Sequence, residues 1–184
     1  IEIICSEISS EEMEKMLLEG ELDIIFTNKL VSLDKLNVIS IYKDKLLIAI
    51  SPNNPACKYA VKIKGHEYPW LDLNHVKNNR FIIQDIEQAT RTFTNKALAH
   101  AKVNPEKIFV IRNMEAASQL AAEEYGVAFT MASYAKYFSY YKPVNFYEVG
   151  APDFFVNICV VYRKDFYLPT YIQDFISLIR KTFV

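Results

Sequence analysis

The sequence predicts an α/β fold, because apolar runs typical of strands alternate with segments of helical periodicity along its 184 residues. It begins with a strand–helix–strand pattern: Ile1–Cys5 is rich in β-branched residues, a helical segment follows, and Leu22–Thr27 is nearly continuously apolar. Hydrophobic residues make up 51% of the chain and the formal net charge is −1, which suits one compact unit or two small lobes. Right-handed crossovers between parallel strands are the natural connection for such a pattern.

The first helix has a signal at each end. Ser9 is followed three residues later by Glu12, which is the spacing of a capping box. Gly20 stands where a left-handed residue often ends a helix. We therefore expect a helix between Ser9 and Gly20, with Met13 and Leu17 on its buried face.

The apolar stretch Val38–Ile50 is longer than the usual strand of about five or six residues, and Lys43, Asp44 and Lys45 interrupt its centre. This length predicts a strand that bends, or that passes from one lobe to another, at its charged middle.

The alternation continues to the end of the chain, where a helix follows Pro169. The remaining predicted strands are Arg80–Gln84, Ile108–Ile111, Val127–Thr130, Val144–Val149 and Phe154–Tyr162. The remaining predicted helices are Thr90–Ala101 and Met114–Tyr125, and Trp70–Asn79 is predicted to be a short helix followed by a turn.

The composition excludes several classes of function. The chain has 4 glycines where average usage predicts about 13, and they are too far apart for a dinucleotide or Walker loop. The near-zero net charge argues against a surface that binds nucleic acid. No apolar run approaches the ~18 residues of a membrane span, so we expect a cytoplasmic protein.

No catalytic or metal site is predicted. The histidines and the cysteines are each widely spaced: His66, His75 and His100, and Cys5, Cys57 and Cys159. This spacing lacks the ligand pairs of a zinc site and the motifs of a disulfide framework, so we expect reduced, mostly buried thiols. No G-x-S-x-G elbow is present either. We expect no catalytic residue, no metal and no cofactor.

Polar side chains follow several of the predicted strands. They are Thr27 and Asn28, Gln84 and Asp85, and Thr130, with Gln88 and Thr90 before the helix that follows Gln84 and Asp85. Ligands of open α/β sheets bind beyond the carboxyl ends of the strands, where helix N-termini present backbone N–H groups. These short amide and hydroxyl side chains therefore suit a small polar or anionic ligand. The alternative is that they only cap helices and turns; for Thr90 an N-cap position would serve both purposes.

Five segments in order resemble one family. "MLLEGELDIIFT", "KDKLLIAISPNNPA", "WLDLNHVKNNRFIIQ", "NMEAASQLAAEEYGVAFTM" and "VNICVVYRK" resemble the effector-binding domain of LysR-type transcriptional regulators. The resemblance implies the type 2 periplasmic binding protein fold: two Rossmann-like lobes with mainly parallel sheets, joined by two crossover strands. It implies lobe I at 1–45 and 160–184, and lobe II at 46–159.

The resemblance also implies a function. A small-molecule effector would bind in the interlobe cleft, contacting Thr27 and Asn28 of one lobe and Gln88–Thr90 of the other, with Gln84 beside them. Lys43, at the crossover between the lobes, could form an ion pair with an anionic effector. Subunits would pair as a homodimer or homotetramer.

Three departures from the family pattern matter. This sequence contains no winged helix-turn-helix and no linker helix, so DNA binding is expected to come from sequence outside it. The first strand and helix of the family's domain are missing as well, and "EEYGVAFTM" lacks the usual second glycine and proline.

Two alternatives stay open. The first is a stand-alone solute-binding protein of a transporter, which an upstream signal peptide would favour. The second is an enzyme on the same scaffold, for which no acid, base or nucleophile can be named.

Overall fold

A computed structural model describes residues 2–6, 8–28, 34–151 and 154–183. The strands are β1 (Ile25–Thr27), β2 (Leu36–Ile50), β3 (Phe81–Gln84), β4 (Ile108–Ile111), β5 (Val127–Met131), β6 (Asn145–Glu148) and β7 (Phe155–Arg163). The helices are α1 (Ser10–Glu19), α2 (Ala89–His100), α3 (Met114–Ala122), α4 (Ala132–Tyr137) and α5 (Thr170–Phe183), with short 3-10 helices at Pro55–Tyr59 and Leu73–Val76. The predicted α/β class is confirmed.

The chain forms two compact units. The first contains the residues up to Lys43 together with those from Asn157 onward, and the second is Asp44–Val156. The backbone passes from one unit to the other within β2, after Lys43, and returns within β7, after Val156. The assignment of these units to the two lobes of the family fold stays a prediction.

The sheet of the second unit has the strand order β6-β2-β5-β3-β4. β3 pairs in parallel with β4 and β5, whereas β2 runs antiparallel to β5 and β6. Ala117 and Ala121 of α3 pack on Ala49, Ile82 and Ala128, where small side chains let the helix approach the strands closely. The sheet is therefore mixed, with parallel strand pairing at β3 and antiparallel strand pairing at β2.

The first unit begins with the predicted capped helix. The Ser9 hydroxyl accepts a hydrogen bond from the Glu12 backbone N–H at 3.3 Å, and Gly20 ends α1 with φ of 84°. Leu17 is fully buried against Ile25 and Val161. Both predicted ends of this helix are confirmed.

The helical spacing of Ile172, Phe175, Ile176 and Ile179 predicts one apolar stripe on the terminal helix, and in α5 Ile172 and Ile176 are buried whereas Phe175 is 38% exposed. Ile172 and Ile176 are buried against Ile41 of β2 and Val160 of β7. The Arg180 guanidinium donates a 2.7 Å hydrogen bond to the Ser40 carbonyl, which ties the end of α5 to β2. No helix in the described ranges is both long and apolar enough to span a membrane.

The predicted strand at Ile1–Cys5 is wrong for residues 2–5, and Ile1 lies outside the described residues. Ile3 and Ile4 are 72% and 79% exposed, and Cys5 is exposed rather than buried. No described strand pairs with this segment, and β-branched residues form a strand only where a partner satisfies their backbone.

β2 accommodates its charged centre as one continuous strand. Asp44 is 4% exposed, and its Oδ1 accepts hydrogen bonds from the backbone N–H of Lys45 (2.8 Å) and of Ser133 (3.2 Å). Ser133 lies in the first turn of α4, so the Asp44 carboxylate of β2 accepts a hydrogen bond from a backbone N–H at the start of that helix. Burial raises the pKa of Asp44, against the opposing effect of these hydrogen bonds.

Candidate functional site

Polar side chains gather at strand ends in each unit. Thr27 and Asn28 lie at the end of β1 in the first unit, and Gln84 ends β3 in the second, shortly before Gln88 and Thr90 at the start of α2. Lys43 lies in β2 and is the last residue of the first unit before the boundary.

In the first unit, amide and hydroxyl groups line β1, β2 and β7. Thr27 is buried and lies opposite Cys159 in the β1–β7 register. The Ser40 hydroxyl donates a 2.8 Å hydrogen bond to Asn157 Oδ1, and Asn157 Nδ2 approaches Cys159 Sγ at 3.3 Å. Burial raises the pKa of the Cys159 thiol, which favours its neutral form.

Asn28 carries an unsatisfied acceptor in this group. Its Oδ1 atom is buried and has no hydrogen-bond partner among the described residues. Such an atom loses its water on folding without gaining a protein donor, at a cost of about 1–3 kcal/mol. A bound molecule that presents a donor would remove that cost.

In the second unit, Gln84 belongs to the core. The side chain is 0% exposed, its Nε2 donates to the Phe129 carbonyl at 2.9 Å, and its Oε1 accepts from the Thr94 hydroxyl at 3.3 Å. Both ends of the amide are thus engaged by protein. This arrangement, together with its complete burial, gives Gln84 a positioning role between β3, β5 and α2.

Gln88 occupies the cap position of α2 that the sequence assigned to Thr90. Its backbone is extended, with φ of −81° and ψ of 134°, and its side chain makes no capping hydrogen bond. Nε2 instead donates to the Arg112 carbonyl at 2.9 Å, and Oε1 is buried without a partner in the described part of the chain. Thr90 is half-buried and is the second residue of the helix, so the N-cap expectation is wrong for it.

Arg112 holds the loop that leads into α2. Its guanidinium lies 2.7 Å from Glu87 Oε2 and 3.6 Å from Asp85 Oδ2, while its carbonyl accepts from Gln88. Sequence reasoning missed this residue, because its partners lie in a loop far away along the chain. Arg112 therefore connects this loop to the end of β4 through contacts that are largely exposed.

Two further residues complete the polar surroundings of α2. Thr130 of β5 is fully buried, and its hydroxyl has no partner among the described residues. Arg91 donates from Nη1 to the Gln84 carbonyl at 2.7 Å and from Nε to Asn95 Oδ1 at 2.9 Å. The N-terminus of α2 therefore has the Gln88 amide oxygen, the Arg91 cation and its own first N–H groups beside it.

Such groups bind a small polar molecule by hydrogen bonds. Within the described ranges, no three histidine, cysteine, aspartate or glutamate side chains are placed to hold a metal ion. The unpartnered atoms Asn28 Oδ1 and Gln88 Oε1 are the features that residue types alone did not disclose, because only the surrounding fold decides which amides find partners.

The family described as "LysR substrate binding domain" matches residues 1–184. Among solved structures, full-length BenM is similar with a TM-score of 0.74 and 18% identity, over 96% of this chain and 56% of that chain. The effector-binding domain of QuiR in complex with shikimate has a TM-score of 0.71 and 16% identity, over 95% of this chain and 78% of that chain.

The BenM effector-binding domain with its effector benzoate has a TM-score of 0.71 and 18% identity, over 96% of this chain and 76% of that chain. At these identities the likeness shows the fold. The chain spans about half the length of full-length BenM. No curated protein sequence matches the chain significantly.

Proposed function

This chain belongs to the family of LysR substrate-binding domains, and from that premise we propose that it is the effector-sensing domain of a transcriptional regulator. A small molecule binds to polar residues contributed by both units, in what the family resemblance identifies as the interlobe cleft. Binding then modulates DNA binding and transcription by the full-length protein. The family match favours this reading over a solute-binding protein of a transporter.

The observation that supports the proposal most directly is the pair of unsatisfied acceptors. Asn28 Oδ1 and Gln88 Oε1 are both buried without partners among the described residues, and each follows a strand end. The orientation of Gln88 is fixed, because its Nε2 must face the Arg112 carbonyl. Ligands of α/β sheets bind at such strand ends, and a ligand donor would satisfy these oxygens.

The proposed ligand set contains Thr27 and Asn28 from the first unit, Gln88 and Thr90 from the second, and Lys43. Gln84 supports the set from the core through its hydrogen bonds to Phe129 and Thr94.

A small carboxylate with additional hydroxyl or amine donors fits this set. The first-turn N–H groups of α2 and the Lys43 ammonium would receive the carboxylate. The unsatisfied amide oxygens would receive the donors. Two structural neighbours are bound to small carboxylates, benzoate and shikimate.

Signalling requires that the effector prefers one arrangement of the protein over another. A hundredfold difference in affinity supplies about 2.7 kcal/mol, which makes an arrangement populated at about 10% the major one. We propose a homodimer or homotetramer in the cytoplasm, with DNA contacts made by sequence outside this chain and no catalytic step. The part of full-length BenM that this chain does not match leaves room for such a DNA-binding domain.

Calorimetric titration of the chain with shikimate, benzoate and related hydroxylated carboxylates tests the proposal. For a compound that binds, Gln88→Leu and Thr90→Ala should each weaken affinity about tenfold, the loss typical of one hydrogen bond to a charged or buried group. Gln173→Leu is the matched control, because this exposed glutamine also donates to a backbone carbonyl, that of Leu168. Equal affinity of all four proteins would remove the α2 N-terminus from the site.

A further inference from the structure

The ten residues Val61–Trp70 of the second unit form a loop whose two ends pair with each other. Val61 and Trp70 exchange two backbone hydrogen bonds of 2.8 Å at its base. Next to this base, the Glu148 N–H donates to the Pro69 carbonyl at 2.8 Å and the Leu71 N–H donates to the Glu148 carbonyl at 3.0 Å. The backbone of β6 thus anchors the returning arm of the segment.

The far end of the segment is held by a different kind of contact. Gly65, with φ of 85°, turns the chain so that the next residue, His66, faces Glu148. His66 Nδ1 lies 2.6 Å from Glu148 Oε2, and Lys45 Nζ lies 2.7 Å from the same oxygen. Lys45 Nζ and His66 Nδ1 are 3.3 Å apart. One carboxylate oxygen therefore joins the segment to β2.

This cluster is shielded from water. The side chains of Glu148, His66 and Lys45 are 6%, 15% and 20% exposed. The other carboxylate oxygen, Oε1, is buried and has no partner among the described residues, so the protein compensates this charge through Oε2. Loss of either donor leaves a buried charge poorly compensated, which is much more costly than loss of a surface pair.

The 2.6 Å distance between His66 Nδ1 and Glu148 Oε2 requires a hydrogen atom between them. A carboxylate oxygen and an unprotonated ring nitrogen would repel each other at this distance, so a hydrogen lies between Nδ1 and Oε2. When Nδ1 carries that hydrogen, His66 donates to Glu148 and both donors converge on the same acceptor.

Lys45 connects this contact to the strands that carry the chain between the units. The first unit boundary falls between Lys43 and Asp44, so Lys45 is the second residue after it. Its Nζ also lies 5.5 Å from the centre of the Phe155 ring, within the range of a cation–π interaction. Phe155 is the first residue of β7. The second boundary falls between Val156 and Asn157, so Phe155 is the second residue before it.

We propose that Glu148, Lys45 and His66 form a clasp that couples the segment Val61–Trp70 to the two crossover strands. When the clasp is closed, the tip of the segment and the start of β7 share one cation. When it opens, both lose this shared contact together. A rearrangement of the crossover strands would in this way be transmitted to an exposed surface element that carries Lys62 and Lys64. No member of the clasp belongs to the proposed ligand set.

Hydrogen exchange measured by mass spectrometry on the whole chain tests the coupling. His66→Ala removes one donor at the rim of the cluster, and Lys45→Met removes the cation while keeping most of the side-chain volume. Both should accelerate exchange about tenfold in peptides covering 61–70, and also in peptides covering 154–159. Glu123→Gln is the control, because Glu123 pairs with Lys142 on the surface of the same unit with both side chains at least half exposed.

The result has a clear reading in each case. Faster exchange in both peptides for the two clasp variants, with Glu123→Gln unchanged, supports the clasp. For His66→Ala, acceleration confined to 61–70 would overturn the coupling to β7, and unchanged exchange in both peptides would overturn the clasp itself.

Trp70 provides a second readout that does not depend on peptide coverage. It is the single tryptophan of the chain, and its Nε1 donates to the Gly150 carbonyl at 3.0 Å beside the anchored arm. Acrylamide quenching of its fluorescence should increase about twofold or more in His66→Ala and in Glu148→Gln, which keeps the shape of the carboxylate but not its charge. Quenching equal to that of the Glu123→Gln control in His66→Ala contradicts the proposal, whether or not Glu148→Gln folds.

Discussion

The side-chain nitrogen of Gln84 donates a 2.9 Å hydrogen bond to the backbone carbonyl of Phe129. Through its oxygen the same amide accepts from the Thr94 hydroxyl, so one buried side chain joins β3, β5 and α2. The residue sits at a strand end, where a ligand contact would be expected, yet both of its functional groups are used to build the strand end itself.

Gln84→Leu should therefore destabilise the fold even without any ligand. The substitution keeps an apolar side chain of similar size but leaves the Phe129 carbonyl and the Thr94 hydroxyl without this partner, each at a cost of about 1–3 kcal/mol. Urea unfolding should show a loss of about 2–4 kcal/mol. Gln173→Leu, at an exposed position of α5, should change stability by less than about 0.5 kcal/mol; equal stability of both variants would refute the role of Gln84.

Gly126→Ala should be far more damaging than its position between a helix and a strand indicates. A Cβ atom there would lie 2.5 Å from the Arg80 carbonyl oxygen, which already accepts a 2.8 Å hydrogen bond from Val127. The carbonyl cannot retreat without losing that bond, so a loss of about 3 kcal/mol or more is expected in thermal or urea unfolding.

Gly65→Ala separates steric crowding from backbone strain. Nothing lies within 4 Å of a Cβ at Gly65, but its φ is +85°. A left-handed alanine costs about 1–2 kcal/mol, so Gly65→Ala should be clearly milder than Gly126→Ala. The reverse order of stability would show that the Arg80 contact does not determine the requirement for glycine.

Local signals predicted most of the elements. The capping residues of α1 and the apolar stripe of α5 lie within a few positions of the structure they specify, so the sequence discloses them. The strand expected at Ile1–Cys5 failed because a strand also needs a partner, and pairing is not a local property. Thr90 was misplaced because Gln88, which is not a common capping residue, takes the cap position.

For the same reason, the sequence did not show which polar side chains find hydrogen-bond partners in the fold. Residue types placed polar side chains at strand ends, but the fate of each amide depends on distant atoms: Phe129 engages Gln84, whereas Gln88 keeps an unpartnered oxygen. The contact of His66 with Glu148 joins residues 82 positions apart, and no spacing rule would have paired them.

Asn113→Ala tests a cap that sequence patterns did not single out. The Asn113 side-chain oxygen accepts a 2.7 Å hydrogen bond from the Ala116 N–H at the start of α3. Its removal should cost about 1 kcal/mol in urea unfolding, whereas Asn113→Asp, which keeps the acceptor and complements the helix dipole, should be close to neutral. An unaffected Asn113→Ala protein would mean that water replaces the cap without loss.

Asp44→Asn should make the protein more stable at neutral pH. Burial raises the pKa of Asp44, so the fold favours the protonated carboxyl; its contribution to stability is complete below the ordinary value of 3.8 and is lost as the pH rises through the folded pKa. Asparagine keeps an oxygen for the Lys45 and Ser133 N–H groups but carries no charge to desolvate. Urea unfolding across pH 3–8 should show the variant gaining on the original protein as the pH rises, with the difference vanishing at the acid end. Asp174→Asn, at an exposed site in α5, is the control; a gain for Asp44→Asn that does not depend on pH would contradict this origin.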